Sequence, residues 1–93
     1  MSETGSFTNE SDESSTFNPS DSISEFIVDG AFNGVIELQV SRPSADEFIT
    51  VLKVVSQDNG EGQAFTLHTP DAAIDYRVKA TNIIGTANFY FGP

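Results

Sequence analysis

The chain has 93 residues, no cysteine, and fourteen acidic against four basic residues, for a net charge of −10. That length allows one domain, and the missing cysteines exclude disulfides and thiolate metal ligands. So strong a negative charge is repelled by phosphate backbones and anionic lipid surfaces, which argues against nucleic-acid and membrane partners.

Residues 1–22, MSETGSFTNESDESSTFNPSDS, hold five acids and no Lys or Arg, and their only large apolar residues are Met1, Phe7 and Phe17. The opening lacks both the basic and the apolar region of a secretory signal. No apolar run in the chain approaches the roughly 20 residues that a membrane-crossing helix needs. Release would then need another route, such as lysis or assembly into a particle. A segment this polar cannot bury enough surface to offset the entropy of ordering, so residues 1–22 are expected to form an acidic, flexible arm when alone.

From Ile23 onward the pattern has period two, the signature of half-buried strands. SEFIVDG predicts a short first strand ending at Asp29-Gly30. In GVIELQVSR, Ile36, Leu38 and Val40 face one way and Glu37, Gln39 and Ser41 the other. EFITVLKVVS is apolar on both faces, as in a strand at the middle of a sheet or in a contact surface. QAFTLHT turns Phe65 and Leu67 inward. IDYRVKAT places Ile74, Tyr76, Val78 and Ala80 inside and Asp75, Arg77, Lys79 and Thr81 outside. TANFYFG gives a last strand with Ala87, Phe89 and Phe91 on one side. Turn residues fill the gaps: Asn33-Gly34, Pro43 to Asp46, Asn59 to Gly62, Thr69 to Asp71 and Asn82 to Gly85.

Six or more short strands at this spacing predict an all-β fold, a small immunoglobulin-like antiparallel sandwich over residues 23–93. A body of 71 residues without disulfides or metal is marginal alone and gains from association. Phe89, Tyr90 and Phe91 put three aromatics in a row, so at least one points away from the core and is a candidate subunit contact. Unpaired strand edges would favour assembly, or covering by the arm.

Tyr76, Val78, Ala80, Asn82 and Gly85 form Y-x-V-x-A-x-N-x-x-G, which resembles the penultimate strand and final hairpin of fibronectin type III and related immunoglobulin-like domains. The resemblance implies an inward tyrosine anchored through its hydroxyl and a left-handed hairpin corner at Asn82 and Gly85. The core tryptophan usual in those domains is missing. Phe32, Gly34, Ile36, Leu38, Ser41, Asp46, Phe48, Tyr76 and Arg77 follow a second pattern, similar to small structural proteins of tailed bacteriophages. Together the two likenesses span Phe32 to Gly85. They imply a sandwich of the kind that decorates capsids or forms part of tails.

Catalytic chemistry finds little support. His68, the only histidine, falls in a predicted strand on the face opposite Phe65 and Leu67, with no G-x-S-x-G elbow, and reads as a surface residue. Asp58 to Gly62, DNGEG, fails the spacing of a calcium loop and reads as a hairpin loop. Asp46-Glu47 and Asp71/Asp75 read as solvated turn charges, since so small a sandwich has no room for a cleft. Arg77 and Lys79 are expected to pair with Asp75 or neighbouring acids.

No catalytic residue, cofactor or metal is therefore expected. The expected function is that of a non-enzymatic virion protein that docks on capsid or tail subunits as a homo-oligomer on the particle, with Phe7 and Phe17 as the arm's anchors. The alternative is a fibronectin-like module binding protein or carbohydrate through loops near Asn33, Asn59 and Ile83-Ile84.

Overall fold

Alternation produces seven strands in the computed structural model, which describes residues 3–18, 23–41, 47–57, 62–68 and 74–92. They are β1 (Glu3–Thr8), β2 (Asp12–Glu13), β3 (Ile23–Asp29), β4 (Phe32–Ser41), β5 (Phe48–Gln57), β6 (Gln63–His68) and β7 (Tyr76–Gly92). All pairings are antiparallel.

β7 organises the rest. At about 3.3 Å per residue, a straight strand would hold Tyr76 and Phe91 roughly 50 Å apart. Their ring centroids are separated by 5.3 Å, so the strand doubles back. It bends at Asn82 (φ 52°) and Gly85 (φ 97°), the two left-handed positions that the sequence marks. The residues before the bend pair with β4 and β2, and those after it with β3 and β1. The two halves do not pair with each other, which corrects the expected hairpin. Positive φ at Asn82 and Gly85 makes an arch between two layers, where a hairpin would have kept both arms in one.

The neighbouring segments bend in the same way. β1 and β2 flank Asn9 (φ 48°), while β3 and β4 meet around Gly30 (φ 101°) and Gly34 (φ 123°). One layer therefore runs β6-β3-β7-β1 and the other β5-β4-β7-β2, in the same order. The described strands stack as four arches, each a pair of strands facing across the layers: β1–β2, then the two halves of β7, then β3–β4, then β5–β6. Equivalently, a seven-stranded sheet curls into a half-barrel whose halves face each other as the layers of a small sandwich.

The core lies between those layers. Phe26, Val28 and Phe91 enter from one side, and Ile36, Leu38, Val54 and Val78 from the other, all fully buried. Each contributes about 1.5–3 kcal/mol by leaving water. Tyr76, Val78 and Ala80 point inward as their alternation requires, and Phe65, Leu67 and Ile74 pack half-buried against the cluster. Of the two places its apolar faces allow, the middle of a sheet or a contact surface, β5 does not take the first. Among the described residues it pairs only with β4, and a bulge at Val51 switches which side its residues face, so that Ile49, beside Val40, and Val55, beside Val35, lie on opposite faces. Ile49, Val51 and Val55 are 37%, 46% and 55% exposed.

Residues 3–18 of the arm lie along β7 through the whole bend. β1 registers against Thr86–Phe91, β2 against Lys79–Ala80, and Phe17 bridges Tyr76. At the bend, and beyond the end of β2, where the regular ladder stops, polar arm side chains take over. The backbone N–H groups of Asn82, Val78 and Gly85 donate to Ser11 Oγ, Ser14 Oγ and Asn9 Oδ1 at 2.8, 2.8 and 2.9 Å. The Ser and Asn content that reads as disorder thus satisfies backbone donors on a bent strand, where water or nothing would otherwise serve.

Candidate interaction surface

The outward residues of the β5-β4-β7-β2 layer form two transverse rows. In the first, Glu13 registers with Lys79, Lys79 with Glu37, and Glu37 with Lys53. Charge alternates along it, negative, positive, negative, positive, from the arm to β5. Opposite charges facing each other across strands each contribute a few tenths of a kcal/mol up to about 1 kcal/mol.

The second row is hydrogen-bonded. Arg77 Nη2 lies 3.1 Å from Glu13 Oε2, and Arg77 Nε donates to Gln39 Oε1 at 2.7 Å. Gln39 Nε2 donates to Thr50 Oγ1 at 3.2 Å, and the Thr50 hydroxyl donates to the Glu37 carboxylate. The guanidinium also sits 4.1 Å over the Phe48 ring. Only a planar, forked cation can serve a carboxylate, an amide and a ring face together. Arg77→Lys is accordingly expected to lower stability by about 1–2 kcal/mol, read as a shifted urea midpoint, whereas Glu13→Gln, an exposed pair, costs under about 1 kcal/mol.

The two ends of the stack are unlike. The arm edge carries Glu3, Glu10, Asp12 and Glu13. At the other end, β5 (FITVLKVVSQ) and β6 (QAFTLH) contain no acid and a single full charge, Lys53. Among the described residues β6 pairs only with β3, and β1 and β2 only with β7. The acidic end has the charged edge by which proteins block unwanted strand addition; the β5–β6 end has almost none of it.

The residues singled out from the sequence fall in several places. Phe7 and Phe17, expected to hold the arm on a partner, are 5% and 4% exposed within the protein's own core. Phe7 stacks on Phe89 at 5.9 Å, and Phe17 packs on Phe91 at 5.0 Å. Phe89 and Phe91 are buried too, which leaves Tyr90, half-buried and registered with Thr4 and Ile27, as the one of the three that faces outward. His68 is exposed at the end of β6. Asp75 is exposed and accepts a bond from Asn18 Nδ2 at 3.2 Å, and Arg77 pairs instead with Glu13 in the distant arm. Asp46, Asp58 to Glu61 and Asp71 lie outside the described residues. Among the described residues no group of three His, Cys, Asp or Glu side chains could hold a metal ion.

The charge row itself escaped sequence reading. Its signal is present in the outward positions of VIELQV and YRVKA, but which strands lie side by side is not written locally. Comparison with known families, with characterised proteins and with solved structures finds no match to this chain.

Proposed function

We propose that the protein is a non-enzymatic structural or accessory component of a tailed-bacteriophage particle, decorating the capsid or associated with the tail, where it docks on repeated subunits. The observation that carries this reading is the β5 edge, which among the described residues has no strand beside it, with Ile49, Val51 and Val55 exposed. A solitary small domain gains nothing from such an edge, whereas a docking subunit adds its neighbour's strand there. The particle itself enters through the likeness of Phe32 to Arg77 to phage structural proteins. Among the described residues of that stretch, Ile36, Leu38 and Tyr76 are buried together and Phe48 lies under Arg77. Docking is assigned to the strand edge because the rings of Phe7 and Phe17 are already enclosed.

The loop-binding alternative retains one feature: Ile84, 66% exposed at the bend and registered against Asn33. Ile83 beside it belongs to the core, and Asn59 lies outside the described residues.

The reading is tested on particles released by the cells that make the chain. After density-gradient purification, quantitative mass spectrometry should find the chain banding with the particles in a fixed ratio to their major protein. A chain confined to the soluble fraction overturns it.

A further inference from the structure

We propose that the chain associates with copies of itself head to tail, the β5–β6 edge of one copy receiving the arm edge, β1–β2, of the next. The inference rests on the edge docking proposed above but not on the particle, and it names the occupant of that edge.

Strand polarity permits it. Successive arches in the stack run in opposite directions, as antiparallel pairing demands, and there are four of them. The first and last arches are therefore opposed in direction. A second copy placed next in the stack continues both layers without a break, β2 beside β5 and β1 beside β6.

Charge selects this pairing over the alternatives. The transverse row reads Glu13, Lys79, Glu37, Lys53, with a carboxylate at the arm end and an ammonium at the β5 end. The next copy's Glu13 beside Lys53 extends the alternation indefinitely. Joining like edges does the reverse: β5 on β5 brings together two edges whose only full charge is Lys53, and arm on arm brings Glu3, Glu10, Asp12 and Glu13 against their own copies. Like charges directly opposed are destabilising, and in a chain of net charge −10 the strands β5 and β6, which carry no acid of their own, are where an acidic strand is repelled least. A strand laid beside β5 also covers the outer flank of Ile49, Val51 and Val55, and one beside β6 covers the half-buried Phe65 and Leu67. Such an interface is heterologous, so it builds rings or open filaments rather than stopping at a pair.

The test is charge exchange, read by sedimentation velocity on the purified full-length chain with no particle present. The wild-type average mass should rise with concentration past two copies, and added salt should weaken the association. Lys53→Glu and Glu13→Lys should each weaken it by about tenfold or more, while a one-to-one mixture of the two variants should recover it, since every contact then again joins opposite charges. If Glu13→Lys loosens its own arm, seen as a lowered melting temperature, Val55→Asp takes its place; it adds a carboxylate to the β5 edge without touching the arm and should weaken association likewise. The proposal is overturned by a wild type still monomeric at about 1 mM, by a mass that stops at two copies, by Glu13→Lys assembling as well as wild type (the mark of β5 on β5), or by a mixture no better than its parts. Failure in any of these ways leaves particle docking standing, and absence from particles leaves self-association standing.

Discussion

Phe17→Ala should destabilise the protein by about 3–5 kcal/mol, the cost of removing a ring from the middle of a core. At roughly 4–8 °C per kcal/mol for a domain of this size, its melting temperature should fall by about 12 °C or more. The size of the effect follows from where the ring lies. Phe17 is 4% exposed, bridges Tyr76 through two backbone hydrogen bonds of 2.8 Å, and rests 5.0 Å from Phe91 and 6.1 Å from Tyr76. Phe91 also touches Phe26, at 6.3 Å, so the arm closes an aromatic cluster drawn from β3 and both ends of β7. Phe91→Ala should cost at least as much as Phe17→Ala. The double variant should fall short of the sum by about 0.5–1.5 kcal/mol, because both substitutions delete one ring pair. Urea denaturation of the four proteins measures all three quantities. A Phe17→Ala variant within about 0.5 kcal/mol of wild type, the range of ordinary surface substitutions, would mean that the arm lies off the core.

The sequence marks the inward side of nearly every body strand because burial and strand geometry share one period. Ile36, Leu38, Tyr76, Val78, Ala80, Ala87, Phe89 and Phe91 are buried where alternation puts them. It does not show that residues 3–18 join the fold. ETGSFT and SDESSTF have too little apolar surface to form structure by themselves, and their two phenylalanines, ten residues apart, follow no helical or strand period. Their partner is β7, more than fifty residues further along, and long-range pairing leaves no local trace. The bend at Asn82 and Gly85 is legible as a left-handed corner and illegible as an arch, because hairpin and arch place the same demand on φ. Only the identity of the strand alongside separates them.

The candidate surface was half visible for a similar reason. EFITVLKVVS reads as apolar on both faces, which fits a central strand and a contact strand equally well. Its place at the end of the sheet, paired only with β4 among the described residues, decides between them. Arg77 and Lys79 read as outward cations in want of acids. Their carboxylate neighbours proved to be Glu13 and Glu37, one from the arm and one from β4, and the alternating row exists only once β2, β7, β4 and β5 lie side by side.

Gly85→Ala should be as damaging as the loss of a core ring, though Gly85 contributes no side chain at all. The arches are nested so closely at their bends that backbone meets backbone. A β-carbon on Gly85 would stand 2.5 Å from the Ala31 carbonyl oxygen, and one on Gly30 would run into the carbonyl of Thr86. Neither obstacle can swing aside as a side chain would. The Ala31 oxygen also accepts the Thr86 N–H at 3.1 Å, so moving it breaks a bond between arches. The φ of 97° adds a conformation that costs an L-residue roughly 1–2 kcal/mol or more even in open space. Clash and strain together predict a loss of at least about 3 kcal/mol and a melting temperature lower by roughly 12–24 °C. Gly62 supplies the control. It lies beside Asp29, next to the bend at Gly30, but a β-carbon there comes no nearer than 3.6 Å to any neighbour, and its φ is ordinary. Gly62→Ala should therefore stay within about 0.5 kcal/mol of wild type. Equal effects at the two sites would mean that the damage comes from losing glycine as such, and that β7 does not fold back between its neighbours.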